Sequence, residues 1–255
     1  MGLLYISCEE DLLEEPISTE PRTAGDFNPE RFFFHFRDDL ELKYLIEYQS
    51  RPENISVDDF DNEIEMALAD WEDKSPTFFG GKKIEFERTL NLGEADIVFR
   101  FFNFQEFADD IDILHQMVTF RSLSAEKIVD VIGLTFKPIS ERFPAFKQRS
   151  LDDLDEEVFR HFGLRANTAF KYILLNRSAK WYKDSDVNRI DRYSLQHVLK
   201  HEIGHQLGLG HLEDEDALMF GEARTFITDD LTFGSTAEIT TNDLAELQSI
   251  YPNRS

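Results

Sequence analysis

The chain has 255 residues, 41% of them hydrophobic and 13% aromatic, which is enough to bury a sizeable core in one domain. With 51 acidic against 27 basic residues it carries a formal charge of −24, so most faces would repel a phosphate backbone and nucleic acid is not an expected partner. A single cysteine excludes an internal disulfide framework and a cysteine-cluster metal site, and no apolar run reaches the roughly 18–20 residues that span a bilayer.

In chain order, Gly2-Leu3-Leu4-Tyr5-Ile6-Ser7 is apolar or small and leads into Cys8, followed at once by Glu9, Glu10, Asp11, Glu14 and Glu15. This resembles the end of a bacterial lipoprotein signal, although a full apolar region behind a positive one is not there. Two readings stand open. A lipidated Cys8 would attach the protein to a membrane and imply a secreted or cell-surface location; an ordinary terminus would leave a cytoplasmic one open. Pro16, Pro21, Gly25 and Pro29 then mark a tether. Residues 1–38 are therefore expected as an N-terminal appendage and 39–255 as the folded domain.

Residues 44–48 read as a strand. Ser56 with Asp59 forms a capping-box pattern, and Phe60, Ile64, Leu68 and Trp71 recur at helical spacing behind it. Residues 83–87 alternate as a half-exposed strand does, while 96–102, 131–136 and 172–175 are apolar enough for buried strands. The stretches 103–129 and 138–168 are charged and partly helical in pattern, with Phe104, Phe107, Phe120, Phe143, Phe146, Phe159 and Phe162 as expected packing anchors. Residues 193–207 read as a second long helix, and Thr240 with Asp243 caps a last one that buries Leu244, Leu247, Ile250 and Tyr251. This order predicts an α/β (α+β) domain, a mixed sheet with helices packed on it.

The chemistry concentrates in His201-Glu202-Ile203-Gly204-His205-Gln206-Leu207-Gly208-Leu209-Gly210-His211. His201 and His205 are four apart, so on a helix their imidazoles share one face and can share a metal ion. Glu202 lies beside the first of them, within reach of a water at such an ion. Gly208 permits the positive φ at which the chain can leave the helix and bring His211 back. Three neutral imidazoles with an open fourth position make a catalytic zinc arrangement, since a structural site is closed by a fourth ligand. Any one of these residues alone is better read as a core or surface side chain, but the five fixed positions coincide by chance on the order of 10⁻⁵ of the time. His197, one turn earlier, is expected outside the ligand set.

The string resembles the zinc motif of the metzincin peptidases, H-E-x-x-H-x-x-G-x-x-H with a Met-turn. Ala217-Leu218-Met219-Phe220 supplies the turn, and its spacing from His211, with Asp214 between, is similar to the matrixin branch. Residues 192–200 resemble the start of the matrixin active-site helix and 239–251 its C-terminal helix. The resemblance implies a metzincin zincin fold over 39–255: a twisted mixed sheet, an active-site helix and a C-terminal helix. It also implies one catalytic zinc held by His201, His205 and His211, Glu202 as general base, and Met219 as an apolar floor. Several positions depart from the family. Thr135 stands where a histidine would hold a second, structural zinc, and the accompanying Gly-rich loop is missing. His115 and His161 have no partners at ligand spacing, so they are expected as surface or packing residues. No Asp cluster lies near Asn176, which weighs against calcium; Leu212 replaces a usual Ser; and Cys8 lacks the flanks of a propeptide cysteine switch.

The function so implied is a zinc-dependent endopeptidase, monomeric, acting on a protein or peptide substrate that pairs with the edge strand 131–136. Residues 220–239, with Phe220, Phe226, Ile227 and Phe233, would wall an apolar pocket for the side chain after the cut. The alternatives are a catalytically silent zinc-binding interaction protein of the same fold, and an acidic protein that recruits cationic peptides by surface charge.

Overall fold

A computed structural model of the chain describes residues 40–78, 81–104, 132–135, 171–182, 193–220 and 238–251. The expected tether with Cys8, the histidines His35, His115 and His161, most of the two long charged stretches and Phe226, Ile227 and Phe233 lie outside the described residues.

Strand β1 (Glu41–Glu47) starts three residues before the apolar run that announced it, and it alternates as a one-face-buried strand must: Leu42, Tyr44 and Ile46 point into the core. A loop leads to α1 (Val57–Lys74). Its first turn carries the expected capping box, with Asp59 N–H donating to Ser56 Oγ at 3.0 Å and Ser56 N–H to Asp59 Oδ2 at 3.2 Å. The helix buries Phe60, Ile64, Ala67, Leu68 and Trp71 against the sheet. Strand β2 (Glu85–Arg88) sits slightly later than the alternation suggested and is mostly exposed, because it pairs on one side only.

Strand β3 (Ile97–Phe102) is central and buried on both faces: Ile97, Phe99 and Phe101 join the helix-side core, while Val98 and Phe102 are buried opposite. That explains an apolar run broken only by the half-buried Arg100, rather than an alternating one. Strands β4 (Gly133–Thr135) and β5 (Tyr172–Asn176) complete a sheet of order β2-β1-β3-β5-β4. The first three pairings are parallel; β4 runs antiparallel to β5, with Gly133 opposite Leu175 and Thr135 opposite Ile173. This is the mixed sheet expected from the element order.

Two short strands, β6 (Trp181–Tyr182) and β7 (Tyr193–Ser194), form a separate pair. Tyr193 and Ser194 are thus not the first helical residues, as the periodicity predicted. Helix α2 is Leu195–Gln206, and Ser194 is its N-cap, accepting from His197 N–H at 3.1 Å. Helix α3 (Thr241–Ile250) closes the described chain with the expected Thr240–Asp243 box. It buries Leu247 and, just past its end, Tyr251, while Leu244 and Ile250 are only half-buried.

Helix α2 is what the rest of the fold is built around. Trp71 Nε1 donates to the Lys200 carbonyl at 2.9 Å, Gln196 Nε2 donates to the Glu63 carbonyl at 2.6 Å, and Lys200 pairs with Asp70. These bonds lock α2 onto α1. Phe101 bridges the layers, 4.8 Å from the Phe60 ring and 5.9 Å from Trp181. No helix among the described residues is long and apolar enough to cross a membrane.

Candidate metal centre

Every residue of α2 except His197 is buried, an unusual state for a helix whose buried residues include two histidines, a glutamate and a lysine. Such groups tolerate burial only if something satisfies them. The i, i+4 spacing stacks His201 and His205 on one face, with ring centroids 4.6 Å apart. The helix then ends in a tight reversal: Gly208 N–H bonds the His205 carbonyl and Leu209 N–H the Gly204 carbonyl, both at 3.0 Å. Gly208 takes φ +102°, a value that a Cβ would oppose. The reversed chain carries His211 to 5.3 Å from the His201 ring and 5.0 Å from the His205 ring.

The three rings are aimed. His201 Nδ1 lies 2.8 Å from the Leu218 carbonyl and His205 Nδ1 2.8 Å from the Leu209 carbonyl. A carbonyl only accepts, so both Nδ1 atoms carry the proton and both Nε2 atoms carry a lone pair. The Nε2 atoms of His201, His205 and His211 are buried and have no hydrogen-bond partner. One ligand atom from each residue converges so that all lie within 4.8 Å of one another, and this is the one such grouping among the described residues. Burial first, then the neighbouring imidazoles, holds His201 well below the ordinary imidazole range. Burial and His211 push His205 down to about 3, and burial pushes His211 down to about 4. Neutral nitrogen donors that refuse protons are what a borderline metal such as zinc requires, and three of them, with no fourth protein ligand among the described residues, leave a position open. The residues present fit the ion.

Glu202 is wholly buried on the same helix, and burial pushes its carboxyl up to about 8 despite a stabilising bond from Thr135. That bond is short: Thr135 Oγ1 donates to Glu202 Oε2 at 2.6 Å. Thr135, where the family's structural-zinc histidine was expected to be missing, therefore faces the metal centre's own glutamate. Met219 is fully buried beneath the helix, and the space above it exists because residue 204 is glycine; a Cβ there would come within 2.4 Å of Met219 Sδ.

The role of Asp243 was not visible in sequence, where it read only as a capping residue. It is fully buried, and its carboxylate accepts from Leu218 N–H (3.1 Å), Met219 N–H (3.0 Å) and Thr240 N–H (2.7 Å). One side chain thus caps α3 and pins the Met-turn, whose Leu218 carbonyl orients His201. At Leu212, where the sequence departs from the family, the backbone N–H bonds the Met219 carbonyl at 2.9 Å. His197 stays outside the three-histidine grouping, as expected.

Comparison with curated proteins finds no match. The family model described as Matrixin matches residues 115–252, more than half of the chain and the whole of the centre described above. A fold of parallel strands with one antiparallel edge strand, an active-site helix and a C-terminal helix, carrying three converged imidazoles over a Met-turn, agrees with that match, and the chain belongs to the matrixin family.

Proposed function

We propose that this protein is a zinc-dependent endopeptidase that binds one catalytic zinc through His201, His205 and His211. The observation that carries the reading is the set of three imidazoles with partnerless, buried Nε2 atoms, one ligand nitrogen of each lying within 4.8 Å of the others, beside a buried glutamate. When bound, zinc supplies Lewis acidity, polarising a scissile carbonyl and making a water easier to deprotonate. Glu202 Oε1, buried and without a hydrogen-bond partner, takes the proton of the attacking water and delivers it to the leaving amine. The carboxyl's elevated proton affinity in the metal-free site suits a group that must both take and return a proton.

The substrate lies extended along β4. The Ile132 carbonyl accepts from Asn176 N–H at 2.8 Å, so by antiparallel alternation Gly133 and Thr135 turn their backbone N–H and C=O groups to the edge that no described strand pairs. Phe220, at the start of the 220–239 stretch, supports an apolar preference for the side chain after the cut.

The test is hydrolysis of a quenched casein or gelatin substrate by zinc-loaded protein, abolished by chelator. Glu202→Ala should retain one zinc per chain and lose about 10²–10⁴ in rate. Zinc binding without hydrolysis by the wild type would replace this reading with a silent zinc-binding protein. Activity of Glu202→Ala within about threefold of wild type would remove Glu202 from its role.

A further inference from the structure

Strand β4 does more than offer an edge. Its two-residue period puts Gly133 and Thr135 on one face, and both meet the Glu202 side chain. Thr135 is buried, and its hydroxyl holds Oε2 at 2.6 Å, at the short end of the O–H···O range. At Gly133 a Cβ would lie 2.5 Å from Oε1 and 2.9 Å from both Cδ and Cγ, distances that side chains do not adopt. The glycine is therefore a space reserved for the carboxylate, and the threonine is its anchor. The remaining oxygen, Oε1, is left buried with no partner.

We propose that Gly133 and Thr135 form a positioning device for Glu202, fixing one carboxylate oxygen so that the other is presented to the reacting water. Its catalytic consequence rests on the peptidase reading above. A glutamate has three rotatable bonds, and an unanchored carboxylate in this space would sample orientations that point neither oxygen at the metal centre. Thr135 itself touches neither substrate nor metal in this scheme; it acts through Glu202.

The experiment uses full-length protein with three substitutions. Thr135→Val keeps the shape and removes the hydroxyl, Thr135→Ser keeps the hydroxyl, and Gly133→Ala fills the reserved space. On a quenched fluorescent peptide, Thr135→Val should lower kcat about 10- to 100-fold with KM within about twofold and zinc content unchanged. Thr135→Ser should restore kcat to within about threefold of wild type, and Gly133→Ala should lower it with KM little changed. Independently of turnover, urea unfolding of Thr135→Val, Glu202→Ala and the double variant should be non-additive by about tenfold in the folding constant. Additive unfolding, a Thr135→Val kcat within about twofold of wild type, or a serine variant as slow as the valine one would each overturn the proposal. A wild-type protein that binds zinc but cleaves nothing would overturn the peptidase reading instead, and the unfolding cycle would still decide the positioning contact.

Discussion

The two edges of the five-stranded sheet are treated in opposite ways. At β2, every other backbone group faces out, and the outward Phe86 N–H is capped by the Glu72 carboxylate at 2.5 Å. Glu85, Glu87 and Arg88 crowd the same strand, and Arg88 is held by Asp61 at 3.0 Å and by Tyr48. Charges and a capped donor are how a sheet refuses another strand. At β4 the residues are Gly133-Leu134-Thr135, uncharged, with outward backbone groups and a side-chain face turned to Glu202. Among the described residues, one edge is guarded and the other has no paired strand beside the metal centre. An unpaired edge is a place where another chain can add, and the proposed substrate pairing would use this one.

The contrast is broken most completely by removing the centre beside the open edge. His205→Ala should lose zinc on dialysis and, with it, essentially all hydrolysis, more than 10⁴-fold, as read by metal analysis and peptide turnover. The mutation leaves the β2 edge untouched.

A pH series on chelator-treated protein comes next. In the folded chain His205 and His211 titrate at about 3 and about 4, whereas in the unfolded chain they take protons near 6.5. Their contribution is therefore complete above about pH 6.5 and is lost as pH falls toward 4 and 3, by about 2 kcal/mol each at pH 5. Glu202 acts in the opposite sense, because its folded carboxyl, at about 8, keeps a proton that the unfolded chain releases above 4.5. Its contribution is present at low pH and lost as pH rises through 8. Urea midpoints should show a steeper loss between pH 7 and pH 5 in Glu202→Ala than in wild type. Saturating zinc should raise stability most near neutral pH, where the imidazoles of the unfolded chain are also free to bind but not converged.

Asp243→Ala tests whether the open edge faces a rigid floor. Three backbone N–H groups, two of them buried, would lose their acceptor, for about 3 kcal/mol by urea unfolding, and zinc affinity should weaken because Leu218 no longer holds His201 in place. The smallest effect belongs to the guarded edge. Glu72→Ala uncovers Phe86 N–H and should cost about 1 kcal/mol, leave kcat unchanged, and raise self-association by sedimentation.

Much of this molecule was legible from short-range pattern. The capping boxes at Ser56 and Thr240, the Phe60–Trp71 period, the i, i+4 histidines and the glycine after them are all contained within one or two helical turns. Local geometry repeats, so it leaves a period that can be read. The β7 residues Tyr193 and Ser194 were misread for the same reason: they continue a helical pattern, but pairing with Trp181 and Tyr182 outweighs it.

The order of chain segments, the metal-binding string and the family to which it belongs were determined by the sequence alone, because each depends on residues close to one another along the chain. Tertiary structure alone decided that Thr135 reaches Glu202 across 67 residues, that Gly133 is the space for that carboxylate, and that Asp243 holds the Met-turn from 24 and 25 residues away. Contacts of this kind join segments with no shared period, and a polar side chain does not advertise its partner until burial removes water as the alternative.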